Sequence, residues 1–161
     1  MNAAIVIRKA SSHDLHAAKT WLSDAGLPSE DLTASHMQTF LIAMHADQPA
    51  GMIGLENFGE LGLLRSLVIE NRYRGAGIGR KLVDALETNA ASEGIAELWL
   101  LTIDADAFFN RLGYVVCERD DAPAVIRNTQ EFSTLCPGDA VLMMKGLQTG
   151  CLSADCGLRP L

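Results

Sequence analysis

Arg74-Gly75-Ala76-Gly77-Ile78-Gly79 is the segment whose residue types and spacing are best suited to chemistry. It lies between an apolar run at 64–69 and an amphipathic stretch that begins at 78. Glycines let a backbone turn tightly and let an anion come close to successive amide N–H groups. A helix N-terminus adds about half a positive charge. Together they form a cradle for a pyrophosphate, with about 1.5–3 kcal/mol from each charge-assisted hydrogen bond. Two familiar phosphate loops do not fit. The triphosphatase pattern G-x4-G-K-[ST] fails because Gly79 runs into Arg80-Lys81-Leu82, and the dinucleotide pattern G-x-G-x-x-G fails because the glycine after Gly77 comes one residue early. The pattern that matches is R-x-x-G-x-G, on Arg74, Gly77 and Gly79. Taken alone, it also fits a strand-to-helix turn that holds no ligand.

The surrounding sequence shows what must position this loop. Residues 5–9 predict a first strand. Ser11 with Asp14 three positions on predicts a helix start, and Leu15, Ala18, Lys19 and Leu22 keep helical spacing as far as Gly26. Pro28-Ser29-Glu30-Asp31 predicts a second, short helix with Leu32 and His36 on one face. Runs at 39–44, 51–58 and 61–69, joined by short turns, predict a three-stranded antiparallel meander. Ile78, Leu82, Ala85, Leu86 and Ala90 predict an amphipathic helix that ends near Gly94. Strands at 98–102, 114–117 and 140–144 follow, with a short helix at 105–112 and a helical stretch from Pro123 to Phe132.

A second motif, Phe108-Phe109-Asn110-Arg111-Leu112-Gly113-Tyr114, falls after the strand that follows the glycine loop. With R-x-x-G-x-G and this order of elements, the chain resembles the Gcn5-related N-acetyltransferase superfamily over residues 4–147, where the second motif reads F-Y-x-x-L-G-F. The resemblance implies an α/β (α+β) acyl-CoA N-acyltransferase fold with a mixed, mostly antiparallel central sheet flanked by helices. The domain would span 1–147 and a loose tail 148–161. It implies acetyl-CoA as acetyl donor, no metal, and direct attack in a ternary complex. The strand at 64–69 would part from its neighbour, so that backbone groups near Leu67, Val68 and Ile69 hold the pantetheine arm. Arg74, Gly75, Ala76, Gly77, Ile78, Gly79 and Arg80 would hold the pyrophosphate. Phe109, also beside the cofactor, stands where the family often has a Tyr that protonates the leaving thiolate. Phe has no proton to give, but a thiol pKa of about 8.5 makes the thiolate a fair leaving group that water can protonate.

A narrower resemblance rests on Gly54-Leu55-Glu56, on the residues from Leu63 to Val68, and on the stretch from Pro123 to Pro137. These look like the arsenic-resistance N-acetyltransferases and, more distantly, the N-acetylglutamate synthase domain. The implied acceptor is the primary amine of a small amino-acid-like compound, with glutamate-like compounds first. Acetylation of a protein or peptide N-terminus is the alternative within the enzyme class. A non-catalytic acyl-CoA sensor, motivated by Phe109, is the alternative outside it.

An amine with a pKa of about 10.4 is mostly protonated at pH 7, and a carboxylate can take its proton directly or through water. Glu56, on the neighbouring strand, is the candidate base. It could also be a solvent-facing strand-end carboxylate, or a group that binds the ammonium without acting as base. Arg65 and Arg127 are candidate partners for an oxyanion on the substrate. The alternatives are a structural ion pair for Arg65, with Glu56 as one partner, and a solvated helix face for Arg127. Ser133 and Thr134 could line the same pocket or cap turns.

Composition narrows the remaining classes. The chain has 161 residues, enough for one domain, and 48% of them are hydrophobic. Its formal net charge is −7, which argues against broad attraction to nucleic acid or anionic membrane. No apolar run reaches the roughly 18–20 residues of a membrane span, and the N-terminus lacks the pattern of a signal peptide. The cysteines at 117, 136, 151 and 156 and the histidines at 13, 16, 36 and 45 show no zinc spacing. Reduced thiols in a cytoplasmic protein are the expectation. Exposed strand edges are compatible with a homodimer.

Overall fold

One sheet of seven strands organises the chain. The computed structural model describes residues 4–26, 29–129, 132 and 140–147. Along it run β1 (Ile5–Lys9), α1 (Leu15–Asp24), β2 (Leu41–His45), β3 (Gln48–Phe58), β4 (Leu61–Ile69) and α2 (Ile78–Ser92). Then come β5 (Glu97–Thr102), α3 (Asp106–Arg111), β6 (Val115–Cys117), α4 (Ala124–Arg127) and β7 (Val141–Gly146). The strand order is β1-β2-β3-β4-β5-β7-β6, and every neighbouring pair is antiparallel except β4–β5. This is the mixed, mostly antiparallel sheet that the sequence implied.

The parallel pair requires a crossover, and α2 supplies it. Its buried stripe of Ile78, Leu82, Val83, Leu86 and Ala90 packs on Leu41, Ile53, Leu55, Leu64 and Leu98 of the sheet. Each such aliphatic side chain contributes about 1.5–3 kcal/mol when fully buried. The opposite face is covered in two separate patches. Ala18 and Leu22 of α1 meet Met37, Phe40, Ile42 and Met52, while Ile126 of α4 meets Leu63, Trp99 and Leu142. Successive strand residues point to opposite faces. Leu64 therefore joins the α2 cluster, whereas Leu63 and Arg65 point to the other face. Arg65 thus lies in the seam between the two patches.

Two elements differ from the sequence expectation. The second helix does not form at 29–36. In its place is a turn, with the Leu32 N–H donating to Ser29 O, and then a single 3-10 turn, His36–Thr39. The Thr33 backbone N–H donates to His36 Nδ1 at 3.0 Å, so a side chain competes for a donor that a helix would use. The helix expected from Pro123 to Phe132 stops at Arg127. There the Thr129 hydroxyl donates to Ile126 O at 2.8 Å and accepts the Phe132 N–H at 3.2 Å. Ser133, Thr134, Cys136, Cys151, Cys156 and the tail 148–161 lie outside the described residues.

Candidate active site

β4 and β5 pair only at Leu61–Glu97, Gly62–Leu98 and Leu63–Trp99, and then separate. A bulge in β4 accompanies the parting. Its register against β3 slips between Met52 and Gly54, and Ser66 takes φ +63°, a left-handed conformation rare for a residue with a side chain. The gap is a cleft of about 880 Å³. Leu67, Val68 and Ile69 form one wall, and Leu100–Thr102 of β5 the other. Arg74, Gly75, Gly77, Ile78, Gly79 and Arg80 line the end at the N-terminus of α2, while Ala76 does not line the cleft. Gly75 and Gly77 take φ +83° and +80°, and Gly77 is the N-cap of α2. A side chain at Gly79 would place its Cβ 3.2 Å from the Phe108 ring. Phe108 and buried Phe109 line the cleft together, so the aromatic motif and the glycine loop meet there.

Neither Phe can donate a proton. The chain has two tyrosines. Tyr114 lies beyond reach of the cleft chemistry: it is fully buried, and its hydroxyl donates to Glu87 Oε2 at 2.9 Å. Burial, together with the Glu87 charge, pushes its phenol far above the ordinary value. Tyr73 does line the cleft, with its ring 5.1 Å from that of His45 and the Arg72 guanidinium 5.1 Å above it. No sequence pattern marks Tyr73 as a cleft residue.

The second half of the site is a group of charges in the seam. Gly54 pairs with Arg65, so Glu56 falls diagonally across from Arg65 on the same face. A Cβ on Gly54 would fall 2.3 Å from the Phe40 ring, so the ring can pack there only because residue 54 is glycine. The Arg65 side chain is 0% exposed, so whatever Arg65 offers the cleft is main chain. Its Nη1 donates to Asp31 Oδ2 at 2.5 Å and to Glu56 Oε2 at 2.6 Å, its Nη2 to Asp31 Oδ1 at 2.8 Å, and its Nε to Ser66 Oγ at 3.1 Å. Burial pushes the Asp31 carboxyl up, but the bonds and charge of Arg65, aided by a backbone N–H and by His36, outweigh it and hold the group below its usual range. The Thr39 hydroxyl donates to Leu55 O and ties the 3-10 turn to β3 beside Glu56.

Asp31, His36 and Glu56 bring possible metal-ligand atoms within 4.8 Å of one another. The cation between the two carboxylates is Arg65 itself, and His36 Nδ1 already accepts the Thr33 N–H. The sequence hides Asp31, because the composition of 28–36 predicts a helix there. Arg127 is exposed at the end of α4 and is not among the residues lining the cleft. Glu56 does not line it either and adjoins it through Arg65.

Residues 36–116 match the family described as the acetyltransferase (GNAT) domain. An uncharacterized N-acetyltransferase of Chlorobaculum tepidum is 32% identical over 117 residues, covering 70% of this chain and 73% of its own. The chain belongs to the GNAT acetyltransferase family. This GNAT protein is thus an acyltransferase, and an acetyltransferase of Bacillus subtilis is 29% identical to it over 140 residues, 78% of this chain and 95% of its own. Among solved structures, the GNAT fold aligns with the N-acetylglutamate synthase of Neisseria gonorrhoeae at a TM-score of 0.79 and 19% identity. That match covers 92% of this chain but only 36% of the synthase. A Mycobacterium tuberculosis protein solved with CoA aligns at 0.72 and 24% identity, covering 89% of this chain and 99% of that one. Among the described residues no helix is long and apolar enough to cross a membrane.

Proposed function

We propose that this GNAT enzyme moves acetyl from acetyl-CoA to the primary amine of a small, amino-acid-like substrate by direct attack in a ternary complex. The observation that carries the reading is the parting of β4 from β5 into a cleft that ends at the glycine loop. The cleft suits the donor's chemistry. Main chain along 66–69 faces a gap where β5 no longer pairs, matching the amide-bearing pantetheine arm. Left-handed Gly75 and Gly77, with the α2 N-terminus and Arg80, form the anion cradle for the pyrophosphate. Acetyl-CoA, when bound, supplies a thioester carbonyl open to attack by a neutral amine.

Glu56 takes the proton of the acceptor ammonium, directly or through water. Its side chain is 16% exposed, which leaves it a route to solvent. Arg74 and Arg80 bind phosphate oxygens, and Phe108 and Phe109 shield the reacting end from water. Arg127, Ser133 and Thr134 are the candidate contacts to the acceptor's far end. An amino-acid-like acceptor is supported by the solved synthase, which was complexed with coenzyme A and N-acetyl-glutamate.

The test is thiol release from acetyl-CoA against glutamate, phosphinothricin, arsinothricin, other amino acids, polyamines, aminoglycosides and short peptides. Saturable turnover is expected on a glutamate-like amine. Glu56→Gln should lower kcat by about 10²–10⁴, the usual worth of a general base, and leave acetyl-CoA affinity within about twofold. Turnover on peptides alone would shift the reading to N-terminal acetylation. Silence on every amine despite tight acetyl-CoA binding would point to a sensor.

A further inference from the structure

Asp31 and Glu56 reach the same buried guanidinium in unequal ways. Asp31 takes it as a fork, with Oδ2 on Nη1 and Oδ1 on Nη2, whereas Glu56 has only Oε2 on the shared Nη1. Among the described residues nothing bonds Glu56 Oε1. The planar guanidinium explains the split. One edge serves one carboxylate bidentately: Asp31 takes the Nη1–Nη2 edge, Nε donates to Ser66, and Glu56 takes a single N–H of Nη1. Asp31 is itself held in place. Next to it Leu32 is buried, the Leu32 N–H bonds Ser29 O, and the Thr33 N–H bonds His36 Nδ1.

We propose that Asp31 is a positioning residue for Glu56: by occupying the Arg65 fork it confines Glu56 to one charge-assisted bond and leaves Oε1 to receive the amine proton. This rests on Glu56 being the base. Without the Asp31 carboxylate, the Nη1–Nη2 fork is open to Glu56, and with both its oxygens engaged there neither is left to receive the amine proton.

A double-mutant cycle tests this. Asp31→Asn keeps the shape and removes the charge. It is expected to lower kcat about tenfold, a fraction of a general base's worth, with the KM for acetyl-CoA within about twofold. On a Glu56→Gln background the same change should alter kcat by less than about twofold, because the group it acts through is gone. An equal loss in both backgrounds, or an unchanged kcat in Asp31→Asn alone, overturns the proposal while leaving Glu56 as base. An unchanged kcat in Glu56→Gln removes the base itself and the proposal with it. If Asp31→Asn does not fold, Asp31→Glu takes its place. Glutamate keeps a carboxylate for the fork, so kcat is expected within about threefold of the parent, and a loss of about tenfold overturns the idea.

Discussion

The two halves of the site are made from different materials. At the proposed donor end the groups on offer are main chain, along the parted edge of β4 and the left-handed glycines before α2. At the proposed acceptor end the groups are side chains that come from far apart: Arg65 meets Asp31 across 34 positions and Glu56 across 9. A main-chain site is indifferent to most side-chain changes and sensitive to anything that alters φ or fills the space over an amide. A side-chain site has the opposite sensitivities. On the proposed function, the donor end suits one invariant ligand and the acceptor end is open to retuning by single substitutions.

The largest effect that separates the halves should come from Arg65→Met. Removing one partner of a buried charge group costs about 3–5 kcal/mol, and here two carboxylates lose their counter-charge. Urea unfolding should show that loss, while the protein that remains folded binds acetyl-CoA as before. A loss under about 1 kcal/mol would mean that the seam is not held by Arg65. Gly77→Asp should do the reverse. It sets a carboxylate at the helix N-terminus and forces a left-handed φ costing about 1–2 kcal/mol. Calorimetry should show acetyl-CoA affinity reduced about 100-fold, because the added charge opposes the phosphates.

Acid sensitivity should sharpen the contrast further. Arg65 holds the Asp31 carboxyl below its ordinary range, and Arg8 does the same for Asp14. Below the ordinary value of about 3.9 the unfolded chain binds protons that the folded chain refuses. The stability these pairs contribute is thus fully present above that pH and is lost as pH falls through the lower folded values. Denaturation midpoints measured between pH 2 and 7 should fall less steeply on acidification in Asp31→Asn than in the parent. The smallest effect is expected for Ser66→Gly. It relieves about 1–2 kcal/mol of backbone strain and forfeits about 1 kcal/mol of hydrogen bonding to Arg65, so the melting temperature should barely move.

The same contrast explains what could be read from the sequence. The glycine loop and the Phe108–Tyr114 motif are each a contiguous stretch, and α2 repeats its apolar residues with helical period, so the loop, the motif and most of the fold are legible. The acceptor end is only partly so. Glu56 and Arg65 stand out as charges on adjoining strands, and an ion pair between them is one reading the sequence allows. Asp31 does not stand out, because 28–36 has the composition of a helix start and nothing local shows that His36 takes the Thr33 N–H. The early stop of α4 has the same cause, a Thr129 hydroxyl that intercepts backbone groups. Tyr73 is a single residue with no pattern around it, and only the fold shows that it reaches the cleft.

The bulge at Ser66 also constrains the order in which this protein can change. Beside Arg65, glycine and serine at this position are nearly equivalent, because relief of strain offsets the lost acceptor. Once Arg65 is gone, the serine keeps its strained backbone and no longer has the guanidinium to satisfy, so glycine becomes the better residue. Selection for stability in a randomised library should therefore recruit Ser66→Gly only in lineages that have already lost Arg65. The two positions are coupled through the bond from Arg65 Nε to Ser66 Oγ, although neither is conspicuous alone.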